Sequence, residues 1–132
     1  MSRKISELTT ATQELFNLFA GKMAEVGVPF MLTCTYRSKE EQLELWGHGR
    51  NGDKRPQVTW TKNSRHTKRT AFDIAILNDG QPVWDLKVNV NANDIGDYYE
   101  AGQIAESIGL EWGGRFKLKP DYCHFQLKEG TK

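Results

Sequence analysis

The sequence predicts an α+β domain, a small antiparallel sheet with helices packed on one side. Three observations carry this. Apolar spacing alternates between helical and strand-like in the order helix, strand, helix, loop, strand, helix, strand. Glycine, proline and capping residues stand at the segment ends. A chain of 132 residues has the length of one domain and buries enough surface for one core. We therefore expect a single domain over residues 1–132.

The first helix is expected from about Ser6 to Glu25, with Leu8, Leu15, Leu18, Phe19 and Val26 approximating one face and Gly27 as the stop. The apolar run Val28–Tyr36 reads as a short buried strand. Ser38 with Glu41 three residues on is a capping box, so a second helix starts there and breaks at Gly47 and Gly49. Residues 49–63 are polar and rich in breakers, a long loop for so small a domain, and such loops tend to carry function. Thr70–Leu77 reads as a strand, and Asp79-Gly80 is a strong hairpin signal. Gln81–Asn91 holds either a short strand or an irregular connection. Asn93 or Asp94 is the expected cap of a third helix ending at Gly109, Gly113-Gly114 forces a turn, and Tyr122–Leu127 is the last strand before a polar tail.

Composition narrows the function classes. Lys plus Arg is 18 against 17 for Asp plus Glu, a net charge of +1, which argues against nucleic acid as the partner. No apolar run approaches the roughly 18 residues needed to span a bilayer, so no membrane partner is expected. Two cysteines, Cys34 and Cys123, are too few for a disulfide framework and read as free thiols. Trp46, Trp60 and Trp84 read as core or rim residues, and His48 as a solvated or C-capping residue.

The chemistry centres on two stretches. In the Thr70–Leu77 strand, alternation puts Asp73 among small and apolar neighbours in mid-sheet. A buried carboxylate needs a partner, and two readings are open: an Arg or Lys, with His66 on the surface, or a metal ion, with His66 swung over the same face. His124 lies in another strand with Asp121 three residues before it. Two imidazoles and one carboxylate form a three-ligand site with an open fourth position, the pattern of catalytic zinc, and a further carboxylate is then the general base. Alternation alone would put Asp121 and His124 on opposite faces, so this reading requires a bend near Pro120-Asp121-Tyr122.

The segments Ser64-x-His66-x-x-x-x-Ala71-x-Asp73, Glu111-Trp112-Gly113-Gly114 and Asp121-x-x-His124-Phe125-Gln126, with Tyr36-Arg37-Ser38-x-x-Glu41-Gln42 upstream, resemble the zinc peptidases that cut peptidoglycan peptides. These are the D-alanyl-D-alanine carboxypeptidases and L-alanyl-D-glutamate endopeptidases, phage endolysins among them, whose fold is shared with the Hedgehog signalling domain. The resemblance spans about residues 28–127. It implies a Hedgehog/DD-peptidase-like fold and Zn²⁺ held by His66, Asp73 and His124. Asp121 would take a proton from the metal-activated water and pass it to the leaving amine, and Arg37 would stabilise charge on the attacked carbonyl. Ser64, Gln42 and Trp112 would lie at the substrate.

The resemblance further implies that the partner is a peptidoglycan stem peptide. With motifs over about residues 28–127, almost no chain is left for a separate wall-binding domain, and a monomer is expected. Lacking a signal peptide, the chain would be made in the host cytoplasm and reach the wall after membrane permeabilisation. The L-alanyl-D-glutamate bond is the expected target. The alternatives are a D-alanyl-D-alanine carboxypeptidase or dipeptidase, and a non-catalytic zinc-stabilised binding module of the same fold. One position departs from the family pattern: Arg69 stands where a glycine is usual, implying an altered turn or a cation facing substrate carboxylates. The basic run Lys62, Arg65, Lys68 and Arg69 is either a solvated loop or an attractor for anionic wall peptides.

Overall fold

The computed structural model describes residues 1–59 and 61–128. Trp60 and the end of the polar tail lie outside the described residues. Three α-helices, α1 (Thr10–Val26), α2 (Lys39–Gly47) and α3 (Asp97–Ser107), accompany five strands: β1 (Phe30–Cys34), β2 (Ala71–Asn78), β3 (Gln81–Val83), β4 (Leu110–Trp112) and β5 (His124–Leu127). The sheet is antiparallel throughout, in the order β1-β2-β5-β4, with β3 pairing the far end of β2.

The two sides of the sheet do different work. Because strand side chains alternate, Phe72, Ile74 and Ile76 of β2 and Phe125 and Leu127 of β5 join one core with Phe16, Phe19 and Met23 of α1 and Tyr98, Ala101 and Ala105 of α3. Phe72 stacks on Phe125 with centroids 5.4 Å apart, and Phe19 lies 5.0 Å from Phe125. The opposite face carries the remaining residues of the alternation. In register across β1, β2 and β5 it holds a row, Cys34–Asp73–His124, and one step along β5 a second row, Ala71–Gln126–Glu111.

Local signals explain most elements. Thr9 caps α1 by accepting from Thr12 N, and Gly27 ends it at φ 76°. Ser38 and Glu41 form both bonds of the capping box at the start of α2. Asp79 and Gly80, at φ 52° and 75°, make the tight turn between β2 and β3. Two expectations are corrected. The buried stripe of α1 is Thr12, Phe16, Phe19 and Met23, spaced four, three and four, while Leu18 points outward with 54% of its surface exposed. α3 starts later than expected: its N-cap is Gly96, and the Asn93 side chain instead accepts from Ile95 N within the preceding loop and donates to Glu100 in the first turn of the helix.

α2 contributes nothing to the shared core; its one buried residue is Gln42. Arg69 settles its own departure. It sits at φ +63°, so the turn that favours glycine is kept and not altered. Its guanidinium lies 3.9 Å over the Tyr36 ring and pairs with Glu7, pointing to the N-terminal segment and away from any substrate. These contacts offset backbone strain of about 1–2 kcal/mol. Arg69→Ala should therefore cost about 1 kcal/mol through loss of the stacked cation, and Arg69→Gly should be the more stable of the two by about 1 kcal/mol. Thermal midpoints of both variants check this, and equal midpoints would show that φ is not strained here.

Candidate active site

The polar row of the sheet opens into a cleft of about 980 Å³, floored by His66, Asp73 and His124. One wall is the loop before β2, including Val58, Thr59 and Ser64, and the other is the segment Phe116–Asp121. Each functional side chain is placed by a local device. Asp73 and His124 are direct cross-strand partners, so their side chains share a face; His124 Nδ1 lies 2.9 Å from Asp73 Oδ1. His66 sits in a tight turn held by Ser64, whose hydroxyl accepts from His66 N at 3.1 Å. The His66 ring donates through Nδ1 to the carbonyl of Thr35 at 3.1 Å, which turns Nε2 toward Asp73 Oδ1, also 3.1 Å away.

The expected bend before β5 is present. His124 N donates to Asp121 O at 3.2 Å, and Asp121 N donates to Gly113 O at 2.9 Å, closing a turn over Tyr122-Cys123. This brings Asp121 back over the site although it is three residues from His124. Donor atoms of Asp73, Asp121 and His124 all lie within 4.8 Å of one another. Asp121 is exposed to the cleft, and its Oδ1 accepts from the Cys123 thiol at 3.2 Å. Burial, with the charges of Asp121 and Asp73, pushes that thiol up, so it stays a neutral donor.

Whether these residues suit a metal can be judged from their own atoms. His66 Nε2 is buried and, although close to Asp73, is not aligned with it as a hydrogen bond, so it has no such partner among the described residues. A buried nitrogen in that position needs a proton or a cation. The set of two imidazoles and one carboxylate is that of an open metal site. The residues fit. A second group, Cys34, His66 and Asp73, lies within the same 4.8 Å limit, so the Cys34 thiol, read from sequence only as a free thiol, adjoins the site from β1.

Without a cation, protons occupy the cluster. Burial works against charge on His66, but the adjacent Asp73 carboxylate and Cys34 outweigh it and push the imidazole up to about 10. Burial likewise opposes charge on Asp73, yet His124 and His66 hold it well below the usual carboxylate range. The raised His66 value contributes stability that is full below its ordinary 6.5 and lost as pH rises through about 10. The depressed Asp73 value contributes stability present above its ordinary 3.8 and lost as pH falls below that. In chelator, the urea midpoint should thus fall between pH 6.5 and 10. Divalent-cation affinity should rise over the same interval, because binding must displace the proton. Urea titrations with and without cation, and calorimetry in buffers of different ionisation enthalpy, check both.

Arg37 lines the cleft; its guanidinium donates to Gln42 Oε1 at 2.7 Å and approaches Cys34 Sγ at 3.7 Å. Gln42 and Trp112 correct the substrate contacts expected of them. Gln42 is fully buried, and its amide donates to Thr59 Oγ1 and the Thr61 carbonyl, tying Arg37 to the cleft loop. Trp112 is 3% exposed, donates to Tyr122 O and lies between Gly102 and Gly114, where a Cβ at either would come within 2.4 Å of the indole. Neither lines the cleft. Of the basic run around His66, only Arg65 reaches the cleft; Lys62 stacks on Trp46 and Arg69 faces Glu7. The other cleft cations are Arg37, Lys117 and Lys119, the lysines having carried no sequence signal. His48 ends α2 beside Glu44 and takes no part.

Comparisons with known proteins identify the family. A family model described as D-alanyl-D-alanine carboxypeptidase, of peptidase family M15, matches residues 58–127. That stretch contains His66, Asp73, Asp121 and His124. A Bacillus subtilis (strain 168) relative, the peptidoglycan L-alanyl-D-glutamate endopeptidase CwlK, is 32% identical over 125 residues, 92% of this chain and 74% of its own. The crystal structure of the Serratia marcescens L-Ala D-Glu endopeptidase ChiX superimposes with a TM-score of 0.70 at 22% identity, covering 93% of this chain and 82% of its own. That of the vancomycin-resistance D,D-dipeptidase VanXYg, in complex with a D-Ala-D-Ala phosphinate analogue, gives 0.61 at 17% identity, covering 91% and 50%. Family model, relative and fold together define a peptidase of a metallopeptidase family. The chain belongs to the M15 peptidase family.

Proposed function

We propose that this peptidase hydrolyses the L-alanyl-D-glutamate bond of peptidoglycan stem peptides, with Zn²⁺ held by His66, Asp73 and His124. The observation that carries the reading is the convergence of two imidazoles and one carboxylate at the floor of one cleft, with a second carboxylate, Asp121, in its wall. CwlK and ChiX, both named for this bond, support the substrate. What a bound divalent cation supplies there is Lewis acidity, which acidifies a water and polarises the scissile carbonyl.

The chain does the rest. Asp121, free to face the cleft and steadied by the Cys123 thiol, accepts the proton of the attacking water at a carboxylate oxygen and delivers it to the departing amine nitrogen. Arg37, always charged and anchored by Gln42, offsets the negative charge that grows on the carbonyl oxygen. Arg65, Lys117 and Lys119 give the cleft a positive wall toward a carboxylate-rich peptide.

The test is digestion of purified peptidoglycan with zinc-loaded protein and mass analysis of the products. New amino-terminal D-glutamate supports the proposal. Release of free D-alanine would replace it with a carboxypeptidase reading, and no release at all would leave the fold as a binding module.

A further inference from the structure

The row beside the metal-site floor contains a chain of polar contacts that the hydrolytic mechanism does not use. His124 Nε2 lies 2.8 Å from Gln126 Oε1, and Gln126 Nε2 donates to Glu111 Oε1 at 3.4 Å. The fold dictates this alignment. Gln126 is two residues after His124 on β5, hence on the same face, and Glu111 is the direct cross-strand partner of Gln126 on β4.

A glutamine amide can present either its oxygen or its NH₂ to a neighbour, and the choice decides which imidazole nitrogen carries the proton. If Gln126 offered its NH₂, His124 Nε2 would have to accept, and the proton would sit on Nδ1, the nitrogen that faces Asp73. That nitrogen could then not bind a cation. Glu111, whose carboxylate only accepts, draws the NH₂ to itself and leaves the oxygen for His124. Nε2 therefore keeps its proton, and Nδ1, 2.9 Å from Asp73 Oδ1, is the nitrogen that a cation can take. We propose that Glu111 and Gln126 form a two-residue positioning relay that selects the metal-binding nitrogen of His124.

The relay rests on the metal site proposed above, and its test separates the two. Zinc affinity is measured by chelator competition, and imidazole ¹⁵N spectra are recorded at pH 8 with and without zinc. Gln126→Leu should weaken zinc binding about 10–100-fold, the usual effect of losing such a partner. Glu111→Gln should weaken it less, since the paired amides can then turn either way. The exchanged pair E111Q/Q126E restores the order: the amide now on β4 donates to the carboxylate now on β5, and that carboxylate accepts from His124. It should bind zinc at least as tightly as the wild type. A purely structural role predicts no such recovery.

In wild-type spectra Nε2 of His124 should carry a proton in both states, whether or not Nδ1, which faces Asp73 Oδ1 at 2.9 Å, is protonated as well when zinc is absent. The relay is overturned if Gln126→Leu binds zinc as the wild type does, if the exchanged pair binds no better than Gln126→Leu, or if the proton is found on Nδ1 alone. Should the wild type bind no zinc, the metal site fails, while the metal-free spectrum still decides the relay.

Discussion

Asp121→Ala should keep its zinc and lose about 10²–10⁴-fold in kcat, the contribution expected of one positioned general acid–base group. The separation follows from the geometry. His66, Asp73 and His124 are fixed by a capped turn and a cross-strand pair, and none of their orienting bonds passes through the Asp121 side chain. Metal content by atomic absorption and hydrolysis of purified wall measure the two properties on the same sample. Asp121→Asn tightens the test because it keeps the shape and removes the base. Wild-type turnover in either variant would mean that another group moves the proton. Asp73→Ala provides the contrast. It removes the oxygen that lies between both imidazoles, so metal and activity should go together.

Where a feature depended on neighbours in sequence, the residues announced it. Ser38 and Glu41 bond each other across one turn of helix, and Asp79-Gly80 needs only its own dihedrals. The face of Asp73 followed from period-two alternation, and the bend that brings Asp121 over His124 followed from Pro120 and the demand of the chemistry. Features that depend on register between distant strands were silent. Nothing in the sequence aligns Cys34 with Asp73, or Glu111 with Gln126, until β1, β2, β5 and β4 are paired. Gln126 itself stood in plain view two residues after His124, and only its partner was hidden.

The misassigned residues share a cause. Gln42 and Trp112 belong to motifs that surround the site, yet one is a buried amide tying Arg37 to a loop and the other a core indole between glycines. Proximity in a motif does not separate a residue that touches substrate from one that holds such a residue in place; burial does. Leu18 was assigned inward for a related reason: an approximate stripe tolerates an error of one position, about 100° around the helix, and Phe16 with Met23 completes the stripe that packing selects.

Gly113→Ala should damage catalysis from a position that touches neither metal nor substrate. Gly113 O accepts from Asp121 N and from Phe116 N, so this one residue anchors both the proposed general base and the cleft wall beside it. A Cβ at Gly113 would stand 2.4 Å from Asp121 O and 3.0 Å from His124 Cβ. The nearer obstacle is backbone and cannot swing aside. Either β4 parts from β5 or the Asp121 turn is displaced, and a shift of about 1 Å in a catalytic group costs on the order of 10²-fold. Stability should fall by about 1–3 kcal/mol, as for other overpacked sites. Gly114→Ala is the control, because its Cβ would meet the Trp112 indole and not the Asp121 backbone. It should lose comparable stability yet retain far more turnover per folded molecule. Urea midpoints and kcat on both variants distinguish the cases. Equal kcat in the two would show that the Asp121 turn holds its place without Gly113. A larger loss in Gly113→Ala would show that the close approach of β4 to this turn sets the distance from the proton acceptor to the metal ligands.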